Sequence, residues 1–238
     1  MTRVSVCMAT YNGAPYLREQ LDSILNQLHP EDELIISDDH STDDTRSIIA
    51  SYEDARIRLF TNPGKRGHVQ NFAHLMEHGT GEFIALSDQD DIWIENRLEL
   101  MLEQLRRMPP YSLVVGDVIE FDSNGVWAAQ KWLGPPPRNS LVSLCRIFLG
   151  RAKYYGSAFL FRRELTRFVL PIPEYIEAHD IWIALNACVR GTIMHLDEPT
   201  LMRRLHGMNL TPLQHRNLWK VMMSRLSYLA GLLQSSFR

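Results

Sequence analysis

Apolar and polar positions along this chain alternate between two rhythms. Short, nearly continuous apolar runs at residues 4–8, 33–37, 57–60 and 83–86 read as strands buried on both faces. Between them apolar residues recur at helical spacing. Residues 14–27 put Leu17, Leu21, Ile24, Leu25 and Leu28 on one face, and residues 44–52, 69–78 and 94–107 also read as helices. Turn chemistry separates these elements at Thr10-Tyr-Asn-Gly13, at Asp38-Asp-His-Ser-Thr-Asp43 and at Pro63-Gly-Lys-Arg-Gly67. Strand and helix thus alternate, which predicts an α/β fold with a mostly parallel central sheet flanked by helices. Ligands in such sheets bind beyond the carboxyl ends of the strands. Asn12, Asp39, Lys65 and Asp88 all follow strands, so they are expected to converge on one edge.

The second half is less regular. Residues 113–120, 154–161 and 192–196 read as strands, residues 140–149 as a helix, and His179-Asp180 opens a helical run over residues 181–189. Residues 127–139, with Gly134 before Pro135, Pro136 and Pro137, read as a loop or lid. Residues 218–238 carry no Asp or Glu but combine Lys220, Arg225 and Arg238 with Trp219, Met222, Leu226 and Leu233. That pattern fits a basic amphipathic helix, either lying in a membrane interface or packing its apolar face on protein.

Composition changes this picture little. The 238 residues, 45% hydrophobic and 22% charged, suit one large α/β domain with an extension. The expected division is 1–215, with halves 1–110 and 111–215, followed by a helical extension at 216–238. A net charge of −3 argues against a general nucleic-acid binder. Cys7, Cys145 and Cys188 show no paired or zinc spacing, which suits a reducing compartment. Neither a signal peptide nor a bilayer-length apolar run is recognisable, so a cytoplasmic protein is expected.

Candidate chemistry centres on Ser87-Asp-Gln-Asp-Asp-Ile-Trp93. Three carboxylates, Asp88, Asp90 and Asp91, crowd one strand end and would repel unless something offsets them. A divalent cation, Mg²⁺ or Mn²⁺, suits such hard oxygen ligands. The plainer alternative is a solvated acidic turn with Asp91 capping the next helix. Asp39, with Tyr11 and Asn12 nearby, is placed to meet a nucleoside, whereas Ser41 and Asp43 read as helix-capping residues. Lys65 and Arg66 either offset a diphosphate or are simply solvated. Neither a dinucleotide nor a P-loop glycine pattern is present. The Asp88-Gln-Asp90 spacing superficially matches an aspartyl-nucleophile phosphatase, but Ile92 replaces that motif's Thr or Val. A non-catalytic nucleotide-sugar-binding module is a further alternative.

Taken with Val4-Ser-Val-Cys-Met-Ala-Thr-Tyr-Asn-Gly13, Gly156-Ser157, His179-Asp180 and Arg204-Leu-His206-Gly-Met-Asn209, the chain resembles glycosyltransferase family 2. These are inverting nucleotide-sugar transferases with the GT-A fold, and the likeness is nearest to the bacterial rhamnosyltransferase-like branch. The resemblance implies transfer of a sugar, dTDP-rhamnose being one candidate donor, to a saccharide or lipid-linked acceptor in surface-polysaccharide (O-antigen) synthesis. It implies donor contacts from Ala9, Tyr11, Asn12, Asp39, Lys65, Asn71, Asp88, Gln89, Asp91 and Trp93. Acceptor contacts would come from Gly156, Ser157, His179 and Trp182. Asp88, Asp90 and His206 would hold Mg²⁺ or Mn²⁺, and Asp180 would be the general base. Without the family, Asp180 reads first as a helix N-cap, and His206 beside Gly207 as a turn residue. Peripheral contact with the inner face of the cell membrane would come from residues 218–238. Two features depart from the family pattern: His179 stands where much of the family has Glu, and the Q-x-x-R-W motif of processive members is missing.

Overall fold

The computed structural model describes residues 3–64, 66–126, 140–149, 154–207 and 218–235. In chain order its elements begin with β1 (Val4–Thr10), α1 (Leu17–Leu25), β2 (Glu33–Asp38), α2 (Thr45–Ala50), β3 (Ile57–Thr61), α3 (His68–His78) and β4 (Phe83–Asp88). Then come β5 (Ile92–Trp93), α4 (Arg97–Arg106), β6 (Leu113–Asp122), β7 (Gly125–Val126), α5 (Ser140–Phe148), β8 (Phe159–Arg162) and α6 (Thr166–Val169). The chain continues with α7 (His179–Arg190), β9 (Ile193–Arg204) and α8 (Leu218–Ser235). Lys65, the proline-rich segment 127–139, and Met208 and Asn209 of the histidine motif lie outside the described residues.

One sheet runs in the order β3-β2-β1-β4-β8-β6-β9-β5, with β7 hairpinned onto β6. Its first four strands in space are parallel. β8 then runs antiparallel between β4 and β6, and β9 returns parallel to β6. Residues of β1 and β4 alternate between two cores, as the two-residue period of a strand requires. Val4, Val6, Met8, Phe83 and Ala85 pack under α1, α2 and α4. Cys7, Ile84 and Leu86 pack under α3, α5, α7 and α8.

The register is what builds a site. Ala9 pairs with both Ser37 and Asp88, and Thr10 pairs with Asp38, so three strands end level and release their loops at one rim. The order of winding reverses at β1: β2 and β3 are added on one side of it and β4 on the other, all four running parallel. The crevice between β1 and β4 is therefore the topological switch point.

Three expectations change. The helix expected from residue 94 starts at Arg97, because Ile92 and Trp93 are captured as a strand by Met202 and Leu201 of β9. Asn96, left-handed at φ 63°, turns the chain into that helix. Asp91 thus caps nothing. The strand expected to end at residue 196 continues to Arg204, passing Pro199 at a bulge opposite Asp117, where a ring lacking an N–H is tolerated. The run 154–161 is a strand only from Phe159, with a 3₁₀ turn at Gly156–Ala158 before it.

Candidate active site

Loops at the rim are tied to one another by hydrogen bonds. The Gln89 side-chain amide accepts from Tyr11 N at 2.8 Å and donates to Tyr11 O at 2.9 Å, pinning the end of β1 to the end of β4. That contact requires Gly13, since a Cβ there would collide with Gln89. Asn12, at φ 47°, accepts from Thr42 N at 2.8 Å through its side-chain oxygen, while its own N–H donates to Ser41 Oγ at 2.9 Å. Gly13 N donates to Thr45 Oγ1 and Ala14 N to Asp43 Oδ2. Asp43 also accepts from Thr45 N just ahead of α2, although the N-cap of that helix is Asp44 and not Asp43 as expected. Asp39, buried, accepts from Asn62 Nδ2 at 2.7 Å and Gly67 N at 2.9 Å, so it shapes the loop that follows β3. The Tyr11 ring is 45% exposed, with the Arg66 guanidinium 5.5 Å from its centroid. Ala9 is half-buried on the same rim. Asn71 differs from expectation: it is 1% exposed and donates to Ser37 O at 3.0 Å, seating α3 on β2.

The three carboxylates beyond β4 form one cluster. Asp88 is pushed well above the usual carboxylate range by burial and by the charges of Asp91 and Asp90, partly offset by Arg203. Asp91, 3% exposed, is pushed up to about 7 by burial and by Asp90, against hydrogen bonds from the Ser157 side chain and Arg204 N. The end of β9 folds over the cluster. Arg204 N lies 3.2 Å from Asp91 Oδ1, and Arg204 Nε donates to Asp90 O at 3.1 Å. His206 Nε2 lies 2.8 Å from Asp90 Oδ2, and its ring stacks on Tyr16 with centroids 4.6 Å apart. The expected partnership of Asp90 with His206, 116 residues apart, is therefore formed in the fold. Among the described residues no group of three or more His, Cys, Asp or Glu side chains is arranged to hold a metal ion. What is present fits Mg²⁺ or Mn²⁺ in chemistry: hard oxygen donors, one imidazole and negative charge that burial makes costly.

The motifs expected to contact the acceptor also meet one another. A Cβ on Gly156 would lie 2.7 Å from His179 Nε2 and 3.5 Å from Asp180 Cβ, so glycine lets the 3₁₀ turn touch the start of α7. The N-cap of α7 is Ala178; Asp180 sits in the first turn, where it accepts from Ile181 N at 2.6 Å. Its charge reaches Asp88, Tyr155 and Tyr228, which places it beside the acidic cluster. His179 is not available as a cation to assist it. Burial and neighbouring His68 push His179 down to about 3, and the neutral ring stacks on Phe72 at 4.2 Å. Trp182 and Trp93 are likewise core residues, 1% and 3% exposed. Trp182 Nε1 donates to Val169 O, and Trp93 lies beneath the Arg97 guanidinium at 4.3 Å.

Two residues absent from the expected set hold the site together. Gln20, fully buried, donates to Ser87 Oγ at 2.7 Å and Asp88 O at 2.9 Å. Arg97 donates to Ser157 O. Each interrupts an apolar helical stripe, Gln20 between Leu17 and Leu21 and Arg97 beside Leu98 and Met101, and that interruption was the available signal.

A parallel half-sheet whose switch-point rim gathers carboxylates, continued by a mixed half that folds a basic strand end over them, is the architecture of GT-A nucleotide-sugar transferases. It superposes on Staphylococcus aureus TarS in complex with UDP-GlcNAc at a TM-score of 0.71 and 19% identity, covering 99% of this chain and 73% of that one. The chain belongs to glycosyl transferase family 2, whose profile matches residues 5–170. It is 35% identical over 102 residues to the Escherichia coli UDP-Glc:α-D-GlcNAc-diphosphoundecaprenol β-1,3-glucosyltransferase, covering 43% of this chain and 40% of that one. It is 32% identical over 128 residues to the Campylobacter jejuni GalNAc(5)-diNAcBac-PP-undecaprenol β-1,3-glucosyltransferase, covering 52% and 41%. The chain thus matches less than half the length of either relative.

Proposed function

We propose that this protein is an inverting glycosyltransferase that extends a lipid-linked saccharide acceptor in bacterial cell-surface glycan synthesis, using a nucleoside-diphosphate sugar. The observation that carries the reading is the convergence of Asp88, Asp90, Asp91 and His206 with Asp180 at the rim where the Tyr11 and Asp39 loops also end. Tyr11, Asn12 and Asp39 present a stacking face and polar backbone for the nucleoside. Asp180 takes the proton from an acceptor hydroxyl as its oxygen attacks the anomeric carbon. The bond from that carbon to the diphosphate breaks on the opposite side, giving a single inversion. Asp88, Asp90 and His206 would hold Mg²⁺ or Mn²⁺, which when bound neutralises charge on the diphosphate. Arg203, close enough to lower the pKa values of Asp88 and Asp91, adds positive charge to that side.

The Escherichia coli relative's name carries UDP-Glc, which favours a uridine nucleotide over the dTDP-rhamnose suggested by the motif branch, and both relatives' names carry an undecaprenol-linked acceptor. Peripheral membrane contact through α8 belongs to the same reading. Among the described residues no helix is long and apolar enough to cross a membrane. α8 nevertheless exposes Met223, Leu226, Leu229 and Leu233. Neither the stretch from Pro199 to Arg238 nor that between Asp122 and Glu164 contains an acid, although each carries several Lys or Arg residues. An anionic lipid surface matches that combination.

The test is a donor screen by thermal stabilisation with UDP-, GDP- and dTDP-sugars, with and without Mn²⁺. A metal-dependent shift with one nucleotide class is expected, about 2.7 kcal/mol of stabilisation when ligand is at 100 times Kd. Transfer from that donor to a prenyl-diphosphate saccharide then confirms the activity. Stabilisation without any transfer across a panel of such acceptors would instead favour a binding module.

A further inference from the structure

Arg97 is the one buried lysine or arginine among the described residues, 1% exposed, at the first turn of α4 and six residues beyond Asp91. Its guanidinium lies 4.3 Å from the centroid of the Trp93 ring, and Nη2 donates to Ser157 O at 2.5 Å. Nη1 is buried with no hydrogen-bond partner. Burial pulls the guanidinium down to about 9, against the opposing pull of Asp91. As a stability device this is poor, because burying a cation with an unmet donor costs stability that one carbonyl and one ring do not return. A methionine or leucine would fill the same stripe beside Leu98 and Met101 without that cost.

What the arginine does touch is the seam between the two sides of the site. Ser157 is gripped twice, by Arg97 at its carbonyl and by Asp91 at its hydroxyl. Gly156, the preceding residue, lies against His179 and the Cβ of Asp180. The connected path is thus Trp93 and Arg97 on the donor side, Ser157 and Gly156 in the turn, and Asp180 on the acceptor side. We infer that Arg97 is a positioning residue: by fixing the Gly156–Ala158 turn to the acidic loop, it sets the distance between the donor carboxylates and Asp180. This inference rests on the glycosyltransferase reading above. A displacement of about 1 Å at reacting atoms costs on the order of 10²-fold in rate, so a modest loosening of the seam is enough to matter.

The experiment compares wild type, Arg97→Lys and Arg97→Met, each shown to melt cooperatively. Donor affinity is measured by calorimetry, transfer by steady-state kinetics, and backbone opening by hydrogen exchange. The expected result is donor Kd changed by less than about twofold, with kcat reduced about 10²-fold in Arg97→Met and less in Arg97→Lys, which keeps the charge but not the fork. Exchange at residues 156–158 and at Asp180 should rise in both variants, with β1, β2 and β4 unaltered. If Arg97→Met does not fold, Arg97→Lys carries the test. A kcat within about twofold of wild type in a folded variant overturns the inference, as does a loss confined to donor affinity. Should wild type transfer no sugar, the functional reading fails separately, and exchange decides alone: unchanged protection at residues 156–158 in Arg97→Lys overturns the positioning role.

Discussion

Asp90 and Asp180 are assigned different work, and substitution separates them. Asp90 faces His206, where the proposed reading puts the metal and diphosphate, so Asp90→Ala should abolish the Mn²⁺-dependent part of donor binding. Asp180 is the proposed base for the acceptor hydroxyl, so Asp180→Asn should bind donor normally and lose about 10²–10⁴-fold in kcat. Titration of each variant with donor, with and without Mn²⁺, checks the first claim, and equal affinity in wild type and Asp90→Ala would sink the metal assignment. Residues at this scale were unevenly legible. The crowding of the three carboxylates could be read because so much negative charge is unusual at one strand end, whereas His206 read as a turn residue and drew notice only through the family resemblance. Asn71, Trp93 and Trp182 were misplaced because a motif position says nothing about which way a side chain faces, and here all three face the core.

At the scale of elements, α8 resolves a choice that composition left open. Tyr228 and Leu232 are buried in the core that contains Trp182, so the helix packs on the domain. Met223, Leu226, Leu229 and Leu233 point outward. Deleting the helix would uncover Trp182 and confuse a loss of membrane contact with a loss of packing. Leu229→Glu with Leu233→Glu is the cleaner change, since it alters only the exposed face. Sedimentation with phosphatidylglycerol vesicles should fall while the melting temperature stays near that of wild type. Unchanged sedimentation would make the exposed stripe irrelevant to lipid.

For the molecule as a whole, pH reports on the buried imidazole of α7. His179 is depressed in the folded state to about 3 and takes its ordinary value when unfolded. Between those values the unfolded chain binds more protons, so stability falls as pH drops, by up to about 1.4 kcal/mol per unit from this group. His68, also depressed by burial, acts with the same sign. Asp88 and Asp91, both raised, act with the opposite sign and favour folding at the acid end. The comparison must therefore be a difference: urea midpoints of wild type and His179→Leu at pH 7 and pH 5. The substitution should shrink the loss on acidification, and an unchanged pH slope would mean that His179 is protonated in the fold.

The sequence by itself determined the strand–helix alternation through residue 88, the gathering of strand-end loops on one edge and the identities of the acids, because burial periodicity and strand-end chemistry are local. Tertiary structure alone decided the course of β9. Asp197, Glu198 and Pro199 look like a turn until the bulge opposite Asp117 absorbs the proline and carries the strand on to Arg204. That continuation pairs Leu201 and Met202 with Trp93 and Ile92, delays α4 to Arg97, and brings His206 onto Asp90. It also decided that Gln20 and Arg97, polar residues inside apolar stripes, face the acidic loop rather than solvent. Pairings across more than a hundred residues leave no periodic trace in the chain, since they depend on where two distant backbones meet and not on the residues beside either of them.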